Sequence, residues 1–177
     1  MYKSHLRTLN FVQMTSHSFS VAGGKTTFIK NIVEHSNERF SSSPGTFYYF
    51  YKVNQPLFGE IEKLNADVRF IAGMPESTWI EDNIQVGDNA TLIFDDIASH
   101  LSKGTKEIFT VLSHHLSCNV ILTVHNLFEK HHVFRDISLN SKYLVLFKES
   151  FNCITFILAQ QVSGEKNLPR LFSSMTK

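Results

Sequence analysis

The chain has 177 residues, 42% hydrophobic and 19% charged, enough for one domain with a real core and ordinary for a globular protein. A formal net charge of +1 excludes a globally basic nucleic-acid binder, so any contact with DNA would need a local patch.

In chain order, residues 1–17 carry little pattern, and the half-apolar stretch Phe19-Ser20-Val21-Ala22 reads as a first strand. Over 25–37 the apolar residues Phe28, Ile29, Ile32 and Val33 fall at helical spacing. Ser41-Ser42-Ser43-Pro44-Gly45 is a loop. The aromatic run Thr46-Phe47-Tyr48-Tyr49-Phe50-Tyr51 predicts a strand. Pro56 is expected to open a helix through Leu64, since proline is favoured at the first helical position. A short strand over 68–71 is broken by Gly73-Met74-Pro75, and 76–87 reads as a short polar helix and a loop. A buried strand follows at 90–94. A helix at 103–116 is expected to carry Ile108, Val111, Leu112 and His115 on one stripe. Another buried strand spans 119–124. Then come a short helix or loop at 126–132, a strand at 143–147 and a helix at 151–162.

Strands alternate with helices, and the strands are continuously apolar. The expected fold class is therefore α/β, a mainly parallel central sheet flanked by helices. No repeat, low-complexity tract or linker divides the chain, so residues 1–177 read as a single domain. Ligands of such sheets bind outside the carboxyl ends of the strands. Lys25, Asp95 and His125-Asn126 all fall at such ends. Cys118 and Cys153 adjoin apolar runs and read as buried free thiols rather than a disulfide scaffold. No apolar run has the length of a membrane span, and the first residues lack the apolar segment of a signal peptide. Nucleus or cytoplasm is expected.

Two motifs carry chemistry. Gly23-Gly24-Lys25-Thr26-Thr27 reads as the end of a phosphate-binding loop running into a helix. Lys25 would neutralise nucleotide phosphates, the hydroxyl of Thr26 would hold Mg²⁺, and the helix would aim its free N–H groups at the anion. Thr91-Leu92-Ile93-Phe94-Asp95-Asp96 supplies an apolar strand ending in carboxylates. Asp95 would hold the same Mg²⁺ through water, and Asp96 would orient or deprotonate the attacking water. Alone, a Gly-Lys-Thr is common and an Asp-Asp pair caps many turns. The two motifs in this order on a strand–helix pattern favour a P-loop NTPase site. The full loop pattern has an earlier glycine at position 19, where this chain has Phe19. If the strand runs through 19–22 and Gly23 is the first glycine, the arch that wraps the phosphates is shortened.

Other signals are weaker. His114 and His115 are adjacent on a helix and point about 100° apart, so with Cys118 they make a poor metal set. His131-His132 reads as a solvated turn. The aromatic run at 46–51 is sheet core before it is a base-stacking platform. Lys103, Lys106 and Lys142 form no stripe suited to DNA phosphate.

The middle of the chain resembles the genome-packaging ATPases of Polinton/Maverick elements and adintovirus-like viruses, within the FtsK–HerA superfamily. The resemblance runs over roughly 17–162 and rests on several stretches. These are Tyr48-Tyr49-Phe50-Tyr51 with Gln55-Pro56-Leu57, Val68 to Glu76, Leu92-Ile93-Phe94-Asp95-Asp96, Ser113-His114-His115, His125-Asn126-Leu127-Phe128, and Arg135 to Lys148. It implies an ASCE-type (RecA/FtsK-like) P-loop fold, ATP with Mg²⁺, a homo-oligomeric ring that meets capsid proteins, and translocation of double-stranded DNA. It further implies Asn126 as a polar sensor of the γ-phosphate, and the retained Arg135 is the substitute candidate for the arginine that reaches a neighbour's nucleotide. Departures are His125 where the group has Gln and Leu116 where an arginine is common. The likeness ends after Gln161, where family members continue. The chain is thus expected to be a truncated or degenerate copy. It would be an active translocase, a non-hydrolysing nucleotide-binding or oligomerisation module, or an inert relic of a mobile element.

Overall fold

Three apolar runs build the middle of the sheet. The computed structural model describes residues 10–15, 25–40, 44–64, 66–97, 103–123, 133, 137 and 143–147. Its strands are β1 (Asn10–Thr15), β2 (Phe47–Tyr51), β3 (Val68–Ala72), β4 (Thr91–Asp95), β5 (Asn119–Thr123) and β6 (Tyr143–Phe147). They form a six-stranded sheet in the order β3-β2-β4-β5-β1-β6. Every neighbouring pair is parallel. The chain is thus α/β with a parallel sheet flanked by helices.

Covering both faces of a parallel sheet makes its strands apolar throughout, and β2, β4 and β5 are buried almost end to end. Their alternation sorts two cores. Phe47, Tyr49, Ile93 and Ile121 face one layer, which α1 (Lys25–Glu34) covers with Phe28, Ile29, Ile32 and Val33. That spacing of three and four residues is the apolar stripe of an amphipathic helix. α2 (Ser36–Arg39) and α3 (Phe58–Ile61) follow on the chain, and α3 adds Phe58 and Ile61 to this layer. Tyr48, Phe50, Leu92, Phe94, Val120 and Leu122 face the other layer, under Ile80 of α4 (Ser77–Asn83) and the helical stretch at 103–115. Rings interlock within each core. Phe50 stacks on Phe94 at 5.1 Å, and Phe58 stacks on Phe70 at 4.6 Å. The aromatic run is core, as its β-forming composition implied.

Several sequence expectations are corrected. A strand at Asn10–Thr15 stands where the sequence carried little pattern, while the strand expected at Phe19-Ser20-Val21-Ala22 lies outside the described residues. Between Thr15 and Lys25 stand residues 16–24, nine positions. Positions 19–24 of the loop pattern lie outside the described residues. The helix expected over 25–37 breaks at His35 into α1 and α2. Pro56 sits in a turn, so α3 starts only at Phe58 and ends at Ile61.

The helix at 103–116 is α5 (Lys103–Glu107), a π-helical turn at Ile108–Leu112 and α6 (Ser113–His115). The buried stripe differs from the expected one. Ile108, Phe109, Leu112 and Ser113 are buried, while Val111 is 41% exposed and His115 is exposed. The expected elements at 126–132 and 151–162 fall outside the described residues. Among the described residues no helix is long and apolar enough to cross a membrane.

Candidate functional site

The site forms where α1 begins above the carboxyl ends of β2, β4 and β5. Tyr51, Asp95 and Thr123 share one register row, which continues to Gln13 of β1. Two residues beyond Ile93, Asp95 projects on the α1 side of the sheet, because side chains repeat with period two along a strand. It is 2% exposed. A buried carboxylate requires donors, and Asp95 has three. The Tyr49 hydroxyl donates to Oδ2 at 2.9 Å, Gln55 Nε2 donates to Oδ2 at 3.1 Å, and Thr123 Oγ1 donates to Oδ1 at 2.6 Å. Burial first, and then the charge and hydrogen bond of Asp95, hold the Tyr49 phenol far above its ordinary value, so it stays a donor.

Lys25 and Thr26 open α1. Lys25 is largely buried at 8% exposure. Desolvation lowers its pKa, opposed by the charges of Asp96 and then Asp95. Both carboxylates therefore act on the same ammonium. Strand alternation alone would send Asp96 to the opposite face from Asp95. Instead Asp96 leaves the strand in the left-handed region, at φ 57°, which aspartate tolerates better than most residues. Its N–H donates to Thr123 Oγ1 at 3.0 Å. Thr123 thus pins both aspartates: its hydroxyl donates to one and accepts from the backbone of the other.

Thr26 Oγ1 donates to Gln55 Oε1 at 2.8 Å, and the same amide donates to Asp95. A single side chain therefore joins the hydroxyl and the carboxylate that the sequence marks as metal-holding. Hard oxygen donors of this kind suit Mg²⁺, which keeps several waters and shares its shell with phosphate. A carboxylate has about four lone-pair positions, and three hydrogen bonds leave little room for direct ligation, so holding the ion through water fits the donor set. Among the described residues no group of three or more His, Cys, Asp or Glu side chains is arranged to hold a metal. His114 and His115 are exposed and Cys118 is buried and free, so that trio forms no centre.

Of the predicted site residues, Lys25, Thr26, Asp95 and Asp96 are brought together, while Thr27 is exposed at the start of α1. Gly23, Gly24, Asn126 and Arg135 lie outside the described residues. Sequence reasoning missed Tyr49, Gln55 and Thr123 as members of the network. The one signal for Tyr49 was a phenol in a buried strand, since such a hydroxyl needs a partner.

No protein-family model matches the chain, and no curated protein matches it in sequence.

Proposed function

We propose that this chain is a P-loop-type nucleotide-binding domain that hydrolyses ATP with Mg²⁺, of the kind that drives double-stranded DNA in genome-packaging machines. The observation that carries the reading is the meeting of Lys25 and Thr26 at the head of α1 with Asp95 and Asp96 at the end of β4. A largely buried lysine held in the field of two carboxylates is suited to accept a triphosphate. The anion replaces water around the ammonium, and the N-terminus of α1 adds its dipole.

Bound Mg²⁺ would supply charge neutralisation on the transferring phosphate. The chain's own groups do the rest. Lys25 binds the β- and γ-phosphate oxygens. Thr26 and Asp95 would hold the ion, Asp95 through water. Asp96 takes the proton of the attacking water as its oxygen bonds to the γ-phosphorus and the bond to ADP breaks. By the resemblance, Asn126 would position that water, and Arg135 would be the substitute candidate to reach the nucleotide of a neighbouring subunit in a ring. Double-stranded DNA and capsid proteins are the partners that the resemblance implies.

A second reading, a nucleotide-binding module without turnover, is favoured by Phe19 at the loop's glycine position, His125 in place of Gln and Leu116 in place of arginine. Titration calorimetry of Mg-ATP into the full chain, beside Lys25→Ala, tests the shared part. Micromolar binding lost in Lys25→Ala supports it; a folded protein that binds no nucleotide overturns it. Phosphate release with and without double-stranded DNA then separates a motor from a silent module.

A further inference from the structure

Gln55 belongs to the loop that leaves β2, and that loop is fixed rather than slack. Pro56 restricts the backbone of the residue before it to extended conformations. The Gln55 carbonyl accepts the Phe58 N–H at 3.0 Å, closing the turn into α3. The half-buried side chain is thereby presented to the head of α1 and the end of β4. Its amide is used on both sides: Oε1 accepts the Thr26 hydroxyl at 2.8 Å and Nε2 donates to Asp95 Oδ2 at 3.1 Å. The reverse orientation would face a carbonyl oxygen to a carboxylate, so the network fixes the amide. A primary amide is a neutral group able to accept from a hydroxyl and donate to a carboxylate at the same time. Glutamate in its place loses the donor, and an apolar residue loses both bonds.

A hydroxyl that ligates a cation must send its proton elsewhere and leave a lone pair for the ion. Gln55 Oε1 accepts the hydrogen bond from the Thr26 hydroxyl. A carboxylate that holds a cation through water must have its plane fixed, and Gln55 shares that task with Tyr49 and Thr123. We infer that Gln55 is a positioning residue for the divalent cation, setting the Thr26 hydroxyl and the Asp95 carboxylate in the orientation that an ion between them requires. The inference deepens the nucleotide reading and rests on it. Partners that orient metal-holding groups typically change metal affinity about 10–100-fold when removed.

The test compares the full-length wild type with Gln55→Met, which keeps an unbranched side chain and removes both hydrogen bonds. Mn²⁺ affinity is read by the electron paramagnetic resonance signal of free Mn²⁺, with and without ATP. ATP affinity is also read in EDTA, and thermal melts report folding. The expected result is Mn²⁺ binding weakened about 10–100-fold, with ATP affinity in EDTA within about twofold of the wild type. A purely structural tie would lower the melting midpoint and leave Mn²⁺ affinity unchanged, which overturns the inference. If Gln55→Met does not fold, Gln55→Ala is read in the same way. Wild type that binds Mn-ATP, with the variant equal to it, sinks the role of Gln55 alone. Wild type that binds Mn²⁺ in a Gln55-dependent manner but no ATP sinks the nucleotide reading alone. Wild type that binds neither sinks both.

Discussion

Replacing Tyr49 by phenylalanine removes one oxygen from the most buried part of the site. The ring is fully buried, and its hydroxyl donates to the Asp95 carboxylate at 2.9 Å. A hydrogen bond to a charged group is worth about 1.5–3 kcal/mol, against about 0.5–1.5 kcal/mol between neutral partners. Asp95 keeps Gln55 and Thr123 as donors, so Tyr49→Phe is expected to destabilise by about 2 kcal/mol rather than to unfold the chain. At about 2–4 °C per kcal/mol for a chain of this size, the melting midpoint falls by about 4–8 °C.

Asp95→Asn sharpens the test. Asparagine offers one acceptor oxygen where three donors converge, so that variant is itself destabilised. In its background Tyr49→Phe loses at most a neutral bond, so its penalty shrinks by about 1 kcal/mol. Urea unfolding of the four proteins in the cycle measures this coupling. A Tyr49→Phe penalty below about 0.5 kcal/mol, or one equal in both backgrounds, refutes a charged carboxylate held by the phenol.

Two further outcomes follow from other parts of the fold. A Cβ at Gly45 would collide with the backbone carbonyl of Asp88, beside the Gly45 N–H bond to Asn89 at 3.0 Å. Gly45→Ala is therefore expected to cost about 1–3 kcal/mol in urea unfolding, and unchanged stability would show that this turn gives way. Burial pushes the Cys118 thiol up to about 12 from an ordinary value of 9.0. Its folded pKa is raised, so its contribution to stability is complete below about pH 9 and is lost as pH climbs toward 12. Cys118→Ala should lose stability less steeply than wild type between those limits. Equal slopes in urea unfolding at successive pH values would refute the buried thiol.

The sheet's centre was legible because β2, β4 and β5 are unbroken apolar runs, a pattern that burial on both faces demands. The stripe of α1 and the position of Asp95 at a strand end were legible for the same local reason. β1 was not. Asn10, Gln13 and Thr15 interrupt its apolar pattern, and the strand is specified by parallel pairing with β5 and β6, which leaves no local trace. The π turn at Ile108–Leu112 was equally hidden, since Ile108, Phe109, Leu112 and Ser113, the residues buried there, fit an ordinary helical period as well as the expected stripe did. Half of the site's polar network lay beyond any spacing rule. Gln55 stands 29 positions from Thr26 and 40 from Asp95, and Thr123 stands 28 from Asp95. Only the folded chain brings them together.

The strand order carries a consequence for the chain as it is synthesised. β1 emerges first, but its neighbours in the sheet are β5 and β6, with Asn10 opposite Val120 and Phe11 opposite Tyr143. While β2, β3 and β4 can already pair with one another, β1 waits with its backbone edge unpaired until late segments leave the ribosome. Such non-local pairing slows folding and exposes a strand to wrong partners. Thr123, which braces both aspartates, arrives equally late. The nascent chain therefore holds its lysine and its carboxylates long before they are joined, and the hydrogen-bond network around Asp95 should be complete only once β5 has docked.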